Sequence, residues 1–293
     1  MTNKHAFSNQ QINALIPSTE YDCDYVFYFL RYIRSYFQSI GGGTGSGKGI
    51  VNKTLFSKTR INILKDKANQ QRIGAILSAY DNLIEVNNKR IKVLEQMAEN
   101  LYKEWFVRFR FPGHETAEFE NGIPKGWEYQ RLSKLLDVRY GKDHKNLEDG
   151  NIPVFGSGGI MRFGNRALFN GESVLIPRKG SLNNIMYYNG PFWTVDTMFF
   201  SVPFIDFFAK YAYYTLSKID MESFNSGAAL PSMTTDILSH FKLLVPDSNT
   251  LKAFDSFVSI LFEQKKALEK KNETVIKQRD LLLPRLMSGK LEV

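Results

Sequence analysis

The apolar positions fall into two long heptad patterns. The first runs Ile73, Leu77, Tyr80, Ile84, Asn87, Ile91, Leu94, Ala98, Leu101 and Trp105, with spacings alternating four and three. The other faces carry charges such as Lys89, Arg90, Lys92, Glu95 and Glu99. This is the seam of a helix that packs lengthwise on another helix. Taken over residues 67–107, the helix is about 60 Å long. Asn87 is the only polar seam position, and such a residue fixes register or partner number at some cost in stability. The second pattern follows Pro246 and reads Leu251, Phe254, Val258, Leu261, Lys265, Leu268, Asn272, Val275, Arg279, Leu282 and Leu286. The simplest packing for two such helices in one chain is an antiparallel pair.

The two helices are copies. An offset of 181 carries Ile73 to Phe254, Leu77 to Val258, Tyr80 to Leu261, Leu94 to Val275 and Leu101 to Leu282. The copy extends upstream. Residues 52–64 align with 234–246 at an offset of 182, and residues 25–40 and 208–224 are both aromatic-rich amphipathic helices ahead of a Gly/Ser loop. Further back, residues 6–15 parallel 192–201. The repeating unit is about 180 residues; the second copy is complete, and the first lacks about 75–80 residues at its front. The aromatic face of residues 25–40 (Tyr25, Phe29, Tyr32, Tyr36) is therefore expected to need cover from a second chain or from the complete copy.

Between the helices the periodicity changes to two. Short β-branched and apolar runs at 135–140, 152–155, 173–177, 185–188 and 197–202 are separated by Gly-rich turns at 156–159 and 178–181. The fold class is thus α+β.

Among 293 residues, 43% are hydrophobic and 14% aromatic, enough to build cores. One cysteine, Cys23, excludes a disulfide framework and a cysteine zinc site, and four scattered histidines exclude a histidine-rich cluster. No run is long and apolar enough to span a membrane, and residues 1–10 lack a secretory core, so the expected compartment is the cytoplasm. Lys and Arg number 38 against 30 Asp and Glu, a formal charge of +8 that favours a polyanionic partner. The excess is expected on the turns of the β-rich segment and on the Gly/Ser loops.

Gly42 to Lys48 has the spacing of a phosphate-binding loop, but Gly49 stands where Ser or Thr would ligate magnesium, and a helix precedes it rather than a strand. Such a loop could instead bring Lys48 to a DNA phosphate, with Ser226 and Ser232 in the equivalent loop of the second copy. The turn Arg178-Lys179-Gly180-Ser181, followed by Asn183 and Asn184, supplies cations and amides suited to phosphates and base edges. Lys142, His144, Lys145, Ser157, Arg162 and Arg166 could extend it into one positive face. No nucleophile elbow, HExxH, carboxylate pair or dinucleotide fingerprint is present. Asp196, beside Trp193 and Thr194, reads as structural.

These motifs resemble those of the specificity subunits of type I restriction–modification systems. The opening Ile123-Pro124-Lys125-Gly126-Trp127, the turns at 154–160 and 176–181, and Trp193-Thr194-Val195-Asp196-Thr197 are similar to that family's target recognition domain. Residues 101–106 are similar to its central conserved helix and residues 282–291 to its distal one.

The resemblance implies β-rich target recognition domains separated by a long antiparallel two-helix coiled coil. Residues 1–66 would be the rear of a first domain, 67–108 the central helix, 109–246 a complete domain and 247–293 the distal helix. It implies a non-catalytic subunit that reads part of a bipartite site in double-stranded DNA and docks methyltransferase subunits, with the helices setting the spacing between half-sites. It implies no cofactor in this chain; S-adenosylmethionine, ATP and magnesium would sit on methyltransferase and restriction subunits. The short first copy fits a recombined or truncated product, a half-subunit that forms a homodimer, or a deliberately shortened chain. The alternative is a coiled-coil scaffold whose β domain binds protein.

Overall fold

The computed structural model describes residues 12–43, 49–224 and 232–293. Helices α1 (Cys23–Tyr32) and α2 (Arg34–Ile40) are followed by the paired strands β1 (Gly42–Gly43) and β2 (Gly49–Ile50), by α3 (Lys53–Lys58) and by the long α4 (Lys67–Tyr102), which widens into a π-helical turn, Lys103–Val107. Three short strands come next: β3 (Phe119–Glu120), β4 (Ile123–Pro124) and β5 (Glu128–Arg131). Then come β6 (Leu136–Tyr140), β7 (Asp149–Gly156), β8 (Gly159–Gly164), β9 (Phe169–Pro177), β10 (Met186–Thr194) and β11 (Met198–Pro203). The chain ends with α5 (Phe208–Leu216), α6 (Thr235–His240), β12 (Lys242–Val245) and the long α7 (Ser248–Met287). Compactness divides the chain into residues 1–93 with 265–293, and residues 94–264.

In the first unit, Asp22 caps α1 by accepting from the Tyr25 amide at 2.9 Å. The helix buries Tyr25, Val26, Tyr28 and Phe29 against Ile73 and Leu77 of α4 and Leu283 and Leu286 of α7. The aromatic face of residues 25–40 thus finds cover within its own chain, on the long helices, while Tyr32 and Tyr36 stay exposed. Gly74 is required there, because a Cβ would sit 2.8 Å from Asp22 Oδ1 and 3.0 Å from the Tyr25 amide.

Polar contacts fix the direction of the helix pair. Asn87 Nδ2 donates to Asn272 Oδ1 at 2.8 Å, Asn272 Nδ2 donates to Asn88 Oδ1 at 2.9 Å, and Arg279 donates to Asp81. Residue numbers rise on one helix as they fall on the other, so the pair is antiparallel. Asn87 and Asn272 are both buried, and each supplies the other's partner.

In the second unit, six strands lie in the order β6-β11-β9-β10-β7-β8. Only the β10–β7 pair is parallel. β9 shows why its sequence reads as a continuous apolar run. Val174 and Ile176 face one core with Phe199, Phe208 and Phe254, while Leu175 faces another with Phe155, Phe192 and Phe200. A sheet covered on both faces needs apolar residues at every position. β12 pairs antiparallel with β5. Trp105 and Phe106 pack on Phe254, with ring centroids 6.0 and 4.8 Å apart. Lys210, 4% exposed, reaches Glu172 of β9 at 2.6 Å and Asp255 of α7 at 2.8 Å.

The repeat read from the sequence is structural. α3 and α6 begin 182 residues apart and share a side-chain cap, from Asn52 to the Leu55 amide and from Thr234 to the Ile237 amide. α4 and α7 begin 181 residues apart.

Candidate nucleic-acid interface

Backbone contacts tie several turns of the second unit into one cluster. The amides of Arg178 and Lys179 both donate to the Thr197 carbonyl, at 2.8 and 3.2 Å, and the Met233 amide donates to the Arg178 carbonyl at 2.8 Å. Lys179 forms a β-bridge with Ser232. Asn184 Nδ2 donates to the Ser157 carbonyl at 2.7 Å, which binds this turn to the β7–β8 hairpin. Leu182, fully buried, anchors it from below. Gly180 has φ 86°, a value that favours glycine.

The strand-to-turn segment after β6 joins the same cluster. The Lys142 amide donates to the Thr194 carbonyl at 2.9 Å, and Trp193 Nε1 donates to the Lys142 carbonyl at 2.9 Å. Gly141 permits this approach, since a Cβ there would lie 2.0 Å from the Val195 carbonyl oxygen. The Arg166 guanidinium lies 5.4 Å from the Trp193 ring centre, and that of Arg178 lies 5.4 Å from the Tyr140 ring centre. Arg178 Nη1 also donates to the Asp196 carbonyl at 3.2 Å. The result is a rigid set of turns carrying aromatic faces, cations and amides.

The fourteen candidate residues do not share one role. Lys142, Lys145 and Ser181 are exposed, Lys179 is half-buried, and none of the three lysines forms an ion pair among the described residues. Arg162 is held by Asp149 at 2.8 Å and by the Leu147 carbonyl at 3.0 Å, which braces β8. Asn183 donates to Asp220 and accepts from the Met221 amide at 2.7 Å, so it clamps a 3-10 turn rather than offering a free amide. Asn184 is spent on Ser157. The Nδ1 atom of His144 is buried without a partner among the described residues, and the same holds for Thr194 Oγ1. Lys48 and Ser226 lie outside the described residues. The loop containing Lys48 is framed by α2 and the antiparallel β1–β2 pair, not by the strand and helix that a nucleotide phosphate loop requires. No group of three or more metal-ligating side chains occurs among the described residues. No helix among them is long and apolar enough to cross a membrane.

The positive charge is not where the turns suggested. Residues 94–264 contain 17 Lys and Arg against 20 Asp and Glu; residues 1–93 with 265–293 contain 21 against 10. The unit with the turn cluster is net acidic, and the excess belongs to the other unit. The basic turn is conspicuous because its cations are contiguous in sequence, whereas the helical lysines are dispersed.

The chain matches the model of the Type I restriction modification DNA specificity domain over residues 1–96 and 124–278. It belongs to that family. Similar proteins include the Type I restriction enzyme MjaIX specificity subunit of Methanocaldococcus jannaschii, 26% identical over 334 residues that span 98% of this chain and 73% of that one. The HindI specificity subunit of Haemophilus influenzae is 20% identical over 313 residues, covering 78% and 68%. The fold is similar to a solved type I restriction–modification S subunit from M. genitalium, with a TM-score of 0.63 and 19% identity over 92% of this chain and 73% of that one. The role of the family is DNA specificity, and it is non-catalytic. These matches give no support to a scaffold whose β domain binds protein.

Proposed function

We propose that residues 94–264 read one half of a bipartite site in double-stranded DNA. The observation that carries this reading is the turn cluster, in which rigid backbone presents Lys142, Lys179 and Ser181 beside the Arg178–Tyr140 and Arg166–Trp193 pairs. Lysines and hydroxyls suit phosphates, and Arg suits guanine edges.

Methyltransferase subunits dock on the helices. Leu83, Val86 and Val93 support this, because they form a second, exposed apolar stripe on α4 at helical spacing. The restriction subunit completes the complex in the cytoplasm. S-adenosylmethionine, ATP and magnesium belong to those partners. If the chain dimerises, two heads read a symmetric site; its mass in solution decides that.

The test is selection from a randomised duplex library with the methyltransferase partner present. One sequence class should be enriched. Lys142→Glu with Lys179→Glu should weaken binding of that class roughly tenfold or more, with tryptophan fluorescence unchanged. Equal affinity for every duplex at every salt concentration would end the reading.

A further inference from the structure

A head that is net acidic is a poor source of long-range attraction to a polyanion. The other unit has the charge, and part of it lies in line on one helix. On α7, Lys266, Lys270 and Lys277 are exposed at i, i+4 and i+11, which places them on one stripe. Over residues 266–277 these three lysines share the face with one carboxylate, Glu273; exposed Glu263 and Asp280 continue it at the two ends, and Asp280 is paired with Arg279 and Arg31. The seam residues Asn272, Val275 and Arg279 are buried on the opposite side of that helix. Lys271, also exposed, stands about a third of a turn away. The ion pairs of this stretch are made by other cations: Lys265 with Glu269 at 3.8 Å, and Arg279 with Asp81 and Asp280. The stripe therefore presents three ammonium groups along about 16 Å of rigid helix, with no carboxylate of the described residues in an ion pair with them.

We propose that this lysine stripe is a sequence-independent contact for the phosphate backbone of duplex DNA. Affinity for any duplex comes largely from α7, and preference among duplexes comes from the turn cluster. The inference rests on the reading of this chain as a DNA specificity subunit and adds a division of labour to it. Lysine suits this role because it acts as a point charge on a flexible stem and needs no fixed base geometry. Each phosphate neutralised contributes about 0.9 to the slope of log affinity against log salt.

The experiment compares the full chain with its Lys266→Gln, Lys270→Gln, Lys277→Gln variant, alone and with the methyltransferase partner. Binding to the selected duplex and to a scrambled one is titrated from low to moderate salt. The expected result is a slope reduced by about 0.9 for each phosphate no longer neutralised, up to about 2.7, with both duplexes weakened by the same factor. Unchanged slopes with selectivity intact overturn the stripe but leave DNA reading standing. So does loss of methyltransferase assembly with unchanged slopes, which would assign the stripe to a protein partner. No duplex binding by the unaltered complex overturns both.

Discussion

Replacing Lys210 by methionine isolates one buried charge and has a readout confined to one unit. The ammonium is 2.6 Å from Glu172 and 2.8 Å from Asp255, with side-chain exposures of 5%, 34% and 15%. Glu172 also accepts from the Tyr187 hydroxyl. Burial, followed by the Glu172 hydrogen bond and charge, holds that phenol far above its ordinary range, so it stays a donor. Methionine matches the lysine stem as far as Cε but leaves two carboxylates facing an apolar group. Removing one member of a buried ion pair costs about 3–5 kcal/mol. Water reaching Glu172 screens part of this, so about 3 kcal/mol is the working figure. With a urea dependence of about 1–3 kcal/mol per M, the midpoint should fall by about 1 M or more. All three tryptophans, Trp105, Trp127 and Trp193, lie in residues 94–264 and are buried, so their fluorescence follows this unit's unfolding. Adding Glu172→Gln and Asp255→Asn removes the stranded charges and should restore most of the loss. A shift below about 0.3 M, or a triple variant no better than the single one, would refute this account of the triad.

Asn87→Leu should destabilise the helix pair by about 1–3 kcal/mol, because buried Asn272 loses a partner. Adding Asn272→Leu should recover that loss, measured by helical circular dichroism in urea. Burial works to raise the Asp81 carboxyl pKa, but hydrogen bonds from Tyr28 and Arg279 and the charges of Arg279 and Arg31 hold it below its ordinary 3.8. Its contribution to stability is full above that value and is lost as pH falls through the lower folded one. The advantage of the native chain over Asp81→Asn should therefore be largest near neutrality and vanish at strongly acid pH, read from urea midpoints. Gly141→Ala should cost about 1–3 kcal/mol through forced displacement of the turn at Val195. It should blur duplex selectivity while the helix pair's unfolding is unchanged.

The seam was legible because heptad spacing is a local signal. Every seam position from Ile73 to Trp105 is buried or half-buried, and the intervening Lys89, Arg90 and Val93 are exposed. Strand cores were legible, but their ends were not. β9 begins at Phe169, ahead of the apolar run, and β10 continues through Asn189, Gly190 and Pro191. β8 escaped detection because its exposed Ile160, Met161 and Phe163 show no clean alternation. The Lys210 triad joins residues 38 and 45 positions apart, and no window of sequence contains that pairing. Arg162, Asn183 and Asn184 have the right chemistry for DNA, but their hydrogen bonds are spent inside the fold. Only the folded backbone distinguishes them from Lys142 and Lys179.

The wide turn at Lys103–Val107 has a consequence for how such a chain can change length. There the Arg108 amide bonds the Lys103 carbonyl, five residues back. Trp105 and Phe106, within this turn, are both buried. Deleting one residue here would heal the helix and rotate everything downstream by about 100°, carrying Tyr214 off the Tyr102 ring, whose centre now lies 5.5 Å from its own. Additions upstream of Tyr102 in steps of about three, four or seven residues would nearly preserve the phase. Tolerated length variants should therefore concentrate within the helix body and avoid its end.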